Sequence, residues 1–94
     1  MKIPDKVKVG AHEYDIKFEL DPSNDNDSCF GCISYKKLLI GIDPNYKQSQ
    51  QEETFFHEVL HAIYHQLGLE DTEKSIQSIA HSFYEVLKDN NLLK

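Results

Sequence analysis

Two histidines and a glutamate lie close together in the middle of the chain, in the segment His57-Glu58-Val59-Leu60-His61. Residues four apart lie on the same face of an α-helix, about 6 Å apart along its axis. If this segment is helical, both imidazoles can bind one metal ion from the same side, with Glu58 beside them. This HExxH pattern supplies two zinc ligands and a carboxylate that can accept a proton from metal-bound water.

A zinc site that keeps one position open for water needs a third protein ligand. We expect this ligand to be His81, which lies on the next predicted helix at the edge of an apolar stripe. Glu73 and Gln77 share its helix face and are the alternatives, although Glu73 in the first turn can simply favour the helix dipole. Glu85, one turn beyond His81, is a candidate to accept a proton from a ligating imidazole.

Two amphipathic helices are predicted to hold these residues, because apolar side chains recur with the 3.6-residue period of a helix with one buried face. The stripes are Phe56, Val59, Leu60, Ile63 and Leu67 in the first helix and Ile76, Ile79, Ala80, Phe83 and Leu87 in the second. Ser49 and Glu52 fit a capping box at the start of the first helix. Gly68 fits a left-handed cap at its end, and Asp71 or Thr72 can cap the second helix.

The first half of the chain shows the period-two alternation that is typical of half-buried strands. Residues 5–20 predict a hairpin that turns near Gly10, and residues 30–35 and 38–42 predict a second strand pair. We therefore expect an α+β fold in which a small antiparallel sheet of two strand pairs packs on two antiparallel helices.

Length and charge limit the class of protein. Ninety-four residues make one domain, residues 1–94, with a single modest core. The formal net charge of -6 argues against a nucleic-acid partner and favours a protein or small-molecule partner, and we expect a protein or peptide substrate. No apolar segment is long enough for a membrane span, and the start has no secretion signal, so we expect a cytoplasmic location and no membrane partner.

Cys29 and Cys32 form the other recognisable motif. A CxxC pair is half of a four-cysteine zinc site, but the sequence has no second pair. The acidic segment 21–28 before it lacks the glycine and the closing glutamate of an EF-hand calcium loop. We interpret the cysteines as thiols at a strand end and the acidic segment as a solvated loop.

Four segments, TFFHEVLHAI (54–63), LGL (67–69), IAHSF (79–83) and LKDN (87–90), resemble small zincin-like proteins of phages and prophages. These are distant relatives of the ImmA/IrrE and SprT-like metallopeptidases. The resemblance covers nearly the whole chain, since those proteins also begin with two short strand pairs. It implies a minimal zincin-like fold, Zn²⁺ on His57 and His61, Glu58 as catalytic base, and a further ligand at or near His81.

The predicted function is zinc-dependent hydrolysis of peptide bonds in a cytoplasmic protein, with a phage or mobile element as its context. Zincin substrates commonly lie along a strand above the motif helix, and residues 38–42 are the candidate for this strand. Tyr64, Tyr84 and His65 stay open as partners for the oxyanion. The domain is so small that a partner protein, a second copy of the chain or a flexible substrate would have to complete the cleft. The alternative function is a non-catalytic binding or regulatory module with a structural zinc.

Overall fold

The computed structural model describes residues 1–20, 26–27, 30–70 and 72–93. Five strands precede two helices in these ranges. The strands are β1 (Lys6–Val9), β2 (His12–Lys17), β3 (Asn26–Asp27), β4 (Gly31–Ser34) and β5 (Leu39–Ile42), and the helices are α1 (Gln48–Leu67) and α2 (Glu73–Asp89). The α+β class is confirmed. The predicted loop 21–28 lies outside the described residues except for β3, and so does Cys29.

Both predicted strand pairs form antiparallel hairpins. β1 pairs with β2 through a turn at Gly10, whose φ of 62° lies in the left-handed region that glycine adopts without strain. β4 pairs with β5, and the Ser34 hydroxyl accepts a hydrogen bond of 3.1 Å from the Lys37 amide in the turn between them. The turn chemistry of each pair is local, which is why the sequence pattern located both of them.

The two hairpins join through a parallel pair, so the sheet is mixed instead of wholly antiparallel. The strand order is β1-β2-β5-β4-β3, and Ile16 of β2 lies beside Ile40 of β5. This order places β5 in the centre, with Ile40 and Ile42 fully buried. Strands that are buried on both faces are typical of parallel pairing. The expectation that residues 38–42 offer an edge to a substrate is therefore wrong, because both edges of β5 are paired.

Helix α1 lies between the sheet and α2. It contacts β1, β4 and β5 on one side and α2 on the other, whereas α2 contacts none of the five described strands. The most deeply buried face of α1 is therefore not the predicted apolar stripe, which is only half-buried and ends in an exposed Leu67. The buried face is formed by Thr54, Phe55, Glu58, His61 and Ala62, together with Glu52 in the first turns.

The ends of the helices partly match the sequence prediction. Gly68 caps α1 with φ 68°, and the Thr72 hydroxyl caps α2 by accepting a hydrogen bond from the Ser75 amide. The predicted Ser49–Glu52 capping box is wrong, because Gln50 fills this role by accepting a hydrogen bond from the Lys47 amide.

None of the helices in the described ranges is both long and apolar enough to cross a membrane.

Candidate metal centre

His57 and His61 lie one turn apart on α1, and their ring centroids are 4.9 Å apart. Both side chains are largely buried. Together with Glu58 they offer potential ligand atoms that all lie within 4.8 Å of one another. The 20-residue helix α1 holds this arrangement. The sheet on one side and α2 on the other fix the rotation of α1 about its axis, and therefore the direction in which the imidazoles point.

The carboxylate of Glu73, the first residue of α2, meets both imidazoles. Its Oε1 lies 2.7 Å from His57 Nε2, and its Oε2 lies 3.0 Å from His61 Nε2. Half of the Glu73 side chain is exposed (50%), so one side of the cluster opens to solvent. Glu73, which the sequence retained as an alternative ligand, is therefore the residue that the fold brings to the histidine pair.

His81 is not brought to this cluster, in contrast to the sequence prediction. Its ring is 62% exposed, with Nδ1 2.5 Å from Glu53 and Nε2 3.6 Å from Glu85. The cause is the register of the antiparallel helices, which places Glu73 opposite His61 and His81 opposite Glu53. Hydrogen bonding to Glu53 raises the pKa of His81. Glu85 thus lies beside an imidazole, as predicted, but not beside one of the cluster, and Gln77 is exposed.

The histidine environment favours the uncharged form that binds metals. Burial lowers the pKa of His57, and the nearby Glu73 carboxylate only partly opposes this effect. A neutral imidazole keeps the lone pair that a metal needs. His57 can therefore act as a ligand near pH 7 without first losing a proton.

The three side chains fit a zinc ion. Two imidazole nitrogens and a carboxylate form a common donor set for catalytic zinc. Atoms bound at ~2.0–2.1 Å around a tetrahedral zinc lie roughly 3.3 Å apart, so the separations of 2.7 and 3.0 Å would have to lengthen by about half an ångström. His57 Nε2 is buried and makes no hydrogen bond of acceptable geometry, even though Glu73 is so close. A cation between them would satisfy this nitrogen.

Glu58 lies on the side of α1 that faces the sheet and is almost completely buried (1% exposed). Gly31, the first residue of β4, makes room for it. A Cβ atom at position 31 would lie 3.1 Å from Glu58 Oε2 and only 2.6 Å from Thr54 Cγ2. Nothing in the sequence pattern pointed to Gly31, because the close approach arises only when β4 packs on α1.

The three candidates for an oxyanion partner are placed as follows. The Tyr84 hydroxyl donates a hydrogen bond of 3.0 Å to Glu52, and burial together with this bond raises the pKa of Tyr84 to about 12. His65 is exposed and stacks on Tyr35 with ring centroids 3.8 Å apart. Tyr64 is half-buried near the end of α1. Tyr84 is therefore the least suited of the three, since its hydroxyl proton is already donated.

Comparisons with known proteins give no further guide to the site. No protein-family model, curated protein or solved structure matches the chain. The resemblance to zincin-like proteins therefore stays a prediction, and the arrangement of His57, Glu58, His61 and Glu73 is the observation on which a functional proposal must rest.

Proposed function

We propose that this protein is a zinc-dependent peptidase in which His57, His61 and Glu73 hold the metal and Glu58 is the general base. The observation that carries the proposal is the meeting of two largely buried imidazole nitrogens with one carboxylate that joins them from a second helix. A buried Glu58 next to the first histidine supplies the remaining group that an HExxH hydrolase needs.

Each residue of the cluster has a distinct role in this proposal. Zinc bound there would supply Lewis acidity, polarising the scissile carbonyl and bringing the pKa of a coordinated water towards ~7. Glu58 would accept a proton from the attacking water and return it to the leaving amine. The exposed half of Glu73 marks the side from which a peptide can approach. A cytoplasmic protein substrate and a phage or mobile-element context are supported by the resemblance of residues 54–63, 79–83 and 87–90 to zincin-like proteins.

The alternative is a non-catalytic module in which the same residues hold a structural zinc. The nearly complete burial of Glu58 favours this function, because a general base must reach the water that it deprotonates. The partial exposure of Glu73 favours the peptidase, since a catalytic zinc keeps its fourth position open to water or substrate and the exposed side of Glu73 lets them approach.

Replacing Glu58 with Gln tests the choice between them. A general base contributes about 10²–10⁴-fold to the rate, so Glu58→Gln should cleave a peptide library that much more slowly while it retains one zinc per chain. Cleavage is followed by mass spectrometry and zinc by elemental analysis. Glu70→Gln is the matched control, because it removes the same charge from an exposed position.

Three results would separate the outcomes. Loss of cleavage with zinc retained supports the peptidase. Equal cleavage by wild type and Glu58→Gln contradicts the role of Glu58. A wild-type protein that holds zinc but cleaves no member of the library supports the structural module.

A further inference from the structure

Helix α2 lies outside the main core of the molecule. Among the described residues, the cluster of buried apolar side chains that joins the sheet to α1 contains none from α2. Of the described elements, α2 contacts α1 alone. Its own buried residues are Ile76, Ala80 and Tyr84, which lie four residues apart on one face. An element with so few buried contacts belongs to the less stable part of a fold and can open without unfolding the core.

The apolar packing of α2 on α1 is also incomplete. Phe83 contacts Phe56 of α1 edge-to-face, yet half of its side chain is exposed. Ile79 and Val86 are exposed to a similar extent. A helix of 17 residues is only marginally stable alone in water, since tertiary contacts supply most of the stability of a helix. The remaining contacts with α1 therefore decide how firmly α2 is docked.

The second half of α2 is held to α1 without the metal site. The Tyr84 hydroxyl donates a hydrogen bond of 3.0 Å to the buried carboxylate of Glu52. His81 Nδ1 lies 2.5 Å from a carboxylate oxygen of Glu53. Neither contact involves a proposed metal ligand, so both are present whether or not a metal is bound.

The first residue of α2 is held through the metal site itself. His61 Nε2 donates a hydrogen bond of 3.0 Å to Glu73, whereas His57 Nε2 makes none of acceptable geometry. Only one of the two contacts between Glu73 and the histidines is therefore a hydrogen bond. A metal ion bound by all three side chains would tie the start of α2 to α1 at both histidines.

We infer that zinc binding controls the docking of α2 on α1. The inference rests on the proposed metal site, because two of its ligands lie on α1 and the third lies on α2. When α2 is undocked, His57 and His61 still lie one turn apart on α1 and can bind zinc, but Glu73 is lost as a ligand. The docked form therefore binds zinc more tightly, and zinc shifts the equilibrium towards it.

The contribution of one ligand sets the size of this shift. One of four protein ligands contributes roughly a 100- to 1,000-fold factor to zinc affinity. Zinc that saturates both forms should therefore lower the ratio of undocked to docked molecules by the same factor. The coupling is reciprocal, so undocking of α2 weakens zinc binding equally. Exposure of the site and release of the metal are thereby linked.

Hydrogen exchange of the full chain, measured by NMR with and without zinc sulfate, tests this inference. In the metal-free protein, the amides of residues 77–86 should exchange faster than those of β4 and β5, and saturating zinc should slow them roughly 100- to 1,000-fold. In Glu73→Gln, zinc on the two histidines no longer distinguishes the docked form. Its α2 amides should slow by less than about threefold, even at zinc concentrations that saturate the variant. Glu70→Gln is the matched control and should behave as wild type, because it removes the same charge from an exposed position.

Elemental analysis for zinc separates the possible failures, and circular dichroism checks that each variant is folded. If wild type binds zinc but its α2 amides do not slow, or are already as slow as those of β4 and β5 without metal, the inference is wrong and the metal site is retained. Equal slowing in Glu73→Gln and wild type also overturns it, because docking would not depend on Glu73. A wild-type chain that binds no zinc overturns both this inference and the proposed function.

Discussion

Replacing Glu73 and His81 separately distinguishes the two candidates for the third metal ligand. The Glu73 carboxylate lies within 3.0 Å of both imidazoles, whereas the His81 ring contacts only carboxylates. Zinc bound by four protein ligands is held by about 10–16 kcal/mol, or roughly 2.5–4 kcal/mol per ligand. Glu73→Gln should therefore weaken zinc binding by roughly 100- to 1,000-fold.

Competition with a chromogenic chelator measures this loss. His81→Ala should change the affinity by less than about fivefold, since the exposed ion pairs of His81 contribute little. Glu85→Gln is the matched control, because it removes the same charge from an exposed position on the same helix. Circular dichroism shows whether each variant keeps its helices.

The opposite pattern would refute the reasoning. If His81→Ala loses zinc while Glu73→Gln binds as wild type does, the helices must pack in a different register from the one described. If Glu85→Gln loses as much affinity as Glu73→Gln, net charge controls the affinity and coordination by Glu73 is not supported.

Two further substitutions test the packing that supports the site. Gly31→Ala should lower the free energy of unfolding by about 1–3 kcal/mol and displace Glu58. Gly68→Asn should change little, because the space around Gly68 is open and asparagine tolerates the left-handed backbone there. Urea unfolding and cleavage assays check both variants, and wild-type behaviour of Gly31→Ala would contradict the close approach. Tyr84→Phe should cost about 1.5–3 kcal/mol at pH 7 through its lost hydrogen bond to Glu52. Burial raises the pKa of Glu52, but its hydrogen bonds, including the one from Tyr84, lower it, and the net effect is a lowered pKa. The stabilisation is therefore present above the pKa of an unfolded glutamate, ~4.3, and is lost as the pH falls through the pKa of Glu52 in the folded state. Urea unfolding of both proteins from pH 3 to pH 7 measures the difference, and a cost that does not shrink in acid would contradict this role of Glu52.

The strand pairs were predictable because local chemistry determines them. Gly10 supplies a left-handed turn, and the alternating side chains of β2 bury Tyr14 and Ile16 on one face. The parallel junction between the hairpins has no such local signal. It brings Ile16 beside Ile40, and this contact depends on which edges of the two hairpins meet. The α+β class was therefore predicted correctly, but the mixed sheet was not.

The apolar period located α1 but not its most buried face. Glu58 and His61 are almost completely buried, so two polar residues occupy positions that a hydrophobicity pattern assigns to the surface. The predicted stripe, from Phe56 to Leu67, is only half-buried or exposed, although Phe56 packs on Phe83 of α2. Hydrophobic periodicity assumes one buried face, and a helix packed between a sheet and a second helix has two.

The identity of the third ligand depends on where α2 begins relative to α1. His57, Glu58 and His61 were predictable, because the helix alone fixes their spacing. The sequence favoured His81 because it lies at the edge of the apolar stripe of the second helix, and a stripe carries no information on how far one helix is displaced along the other. Instead Glu73, the first residue of α2, lies opposite His61, six residues before the end of α1. At 1.5 Å per residue, α2 therefore begins about 9 Å back along α1. This displacement of the two helices along each other, and not any motif, places a carboxylate beside the two imidazoles.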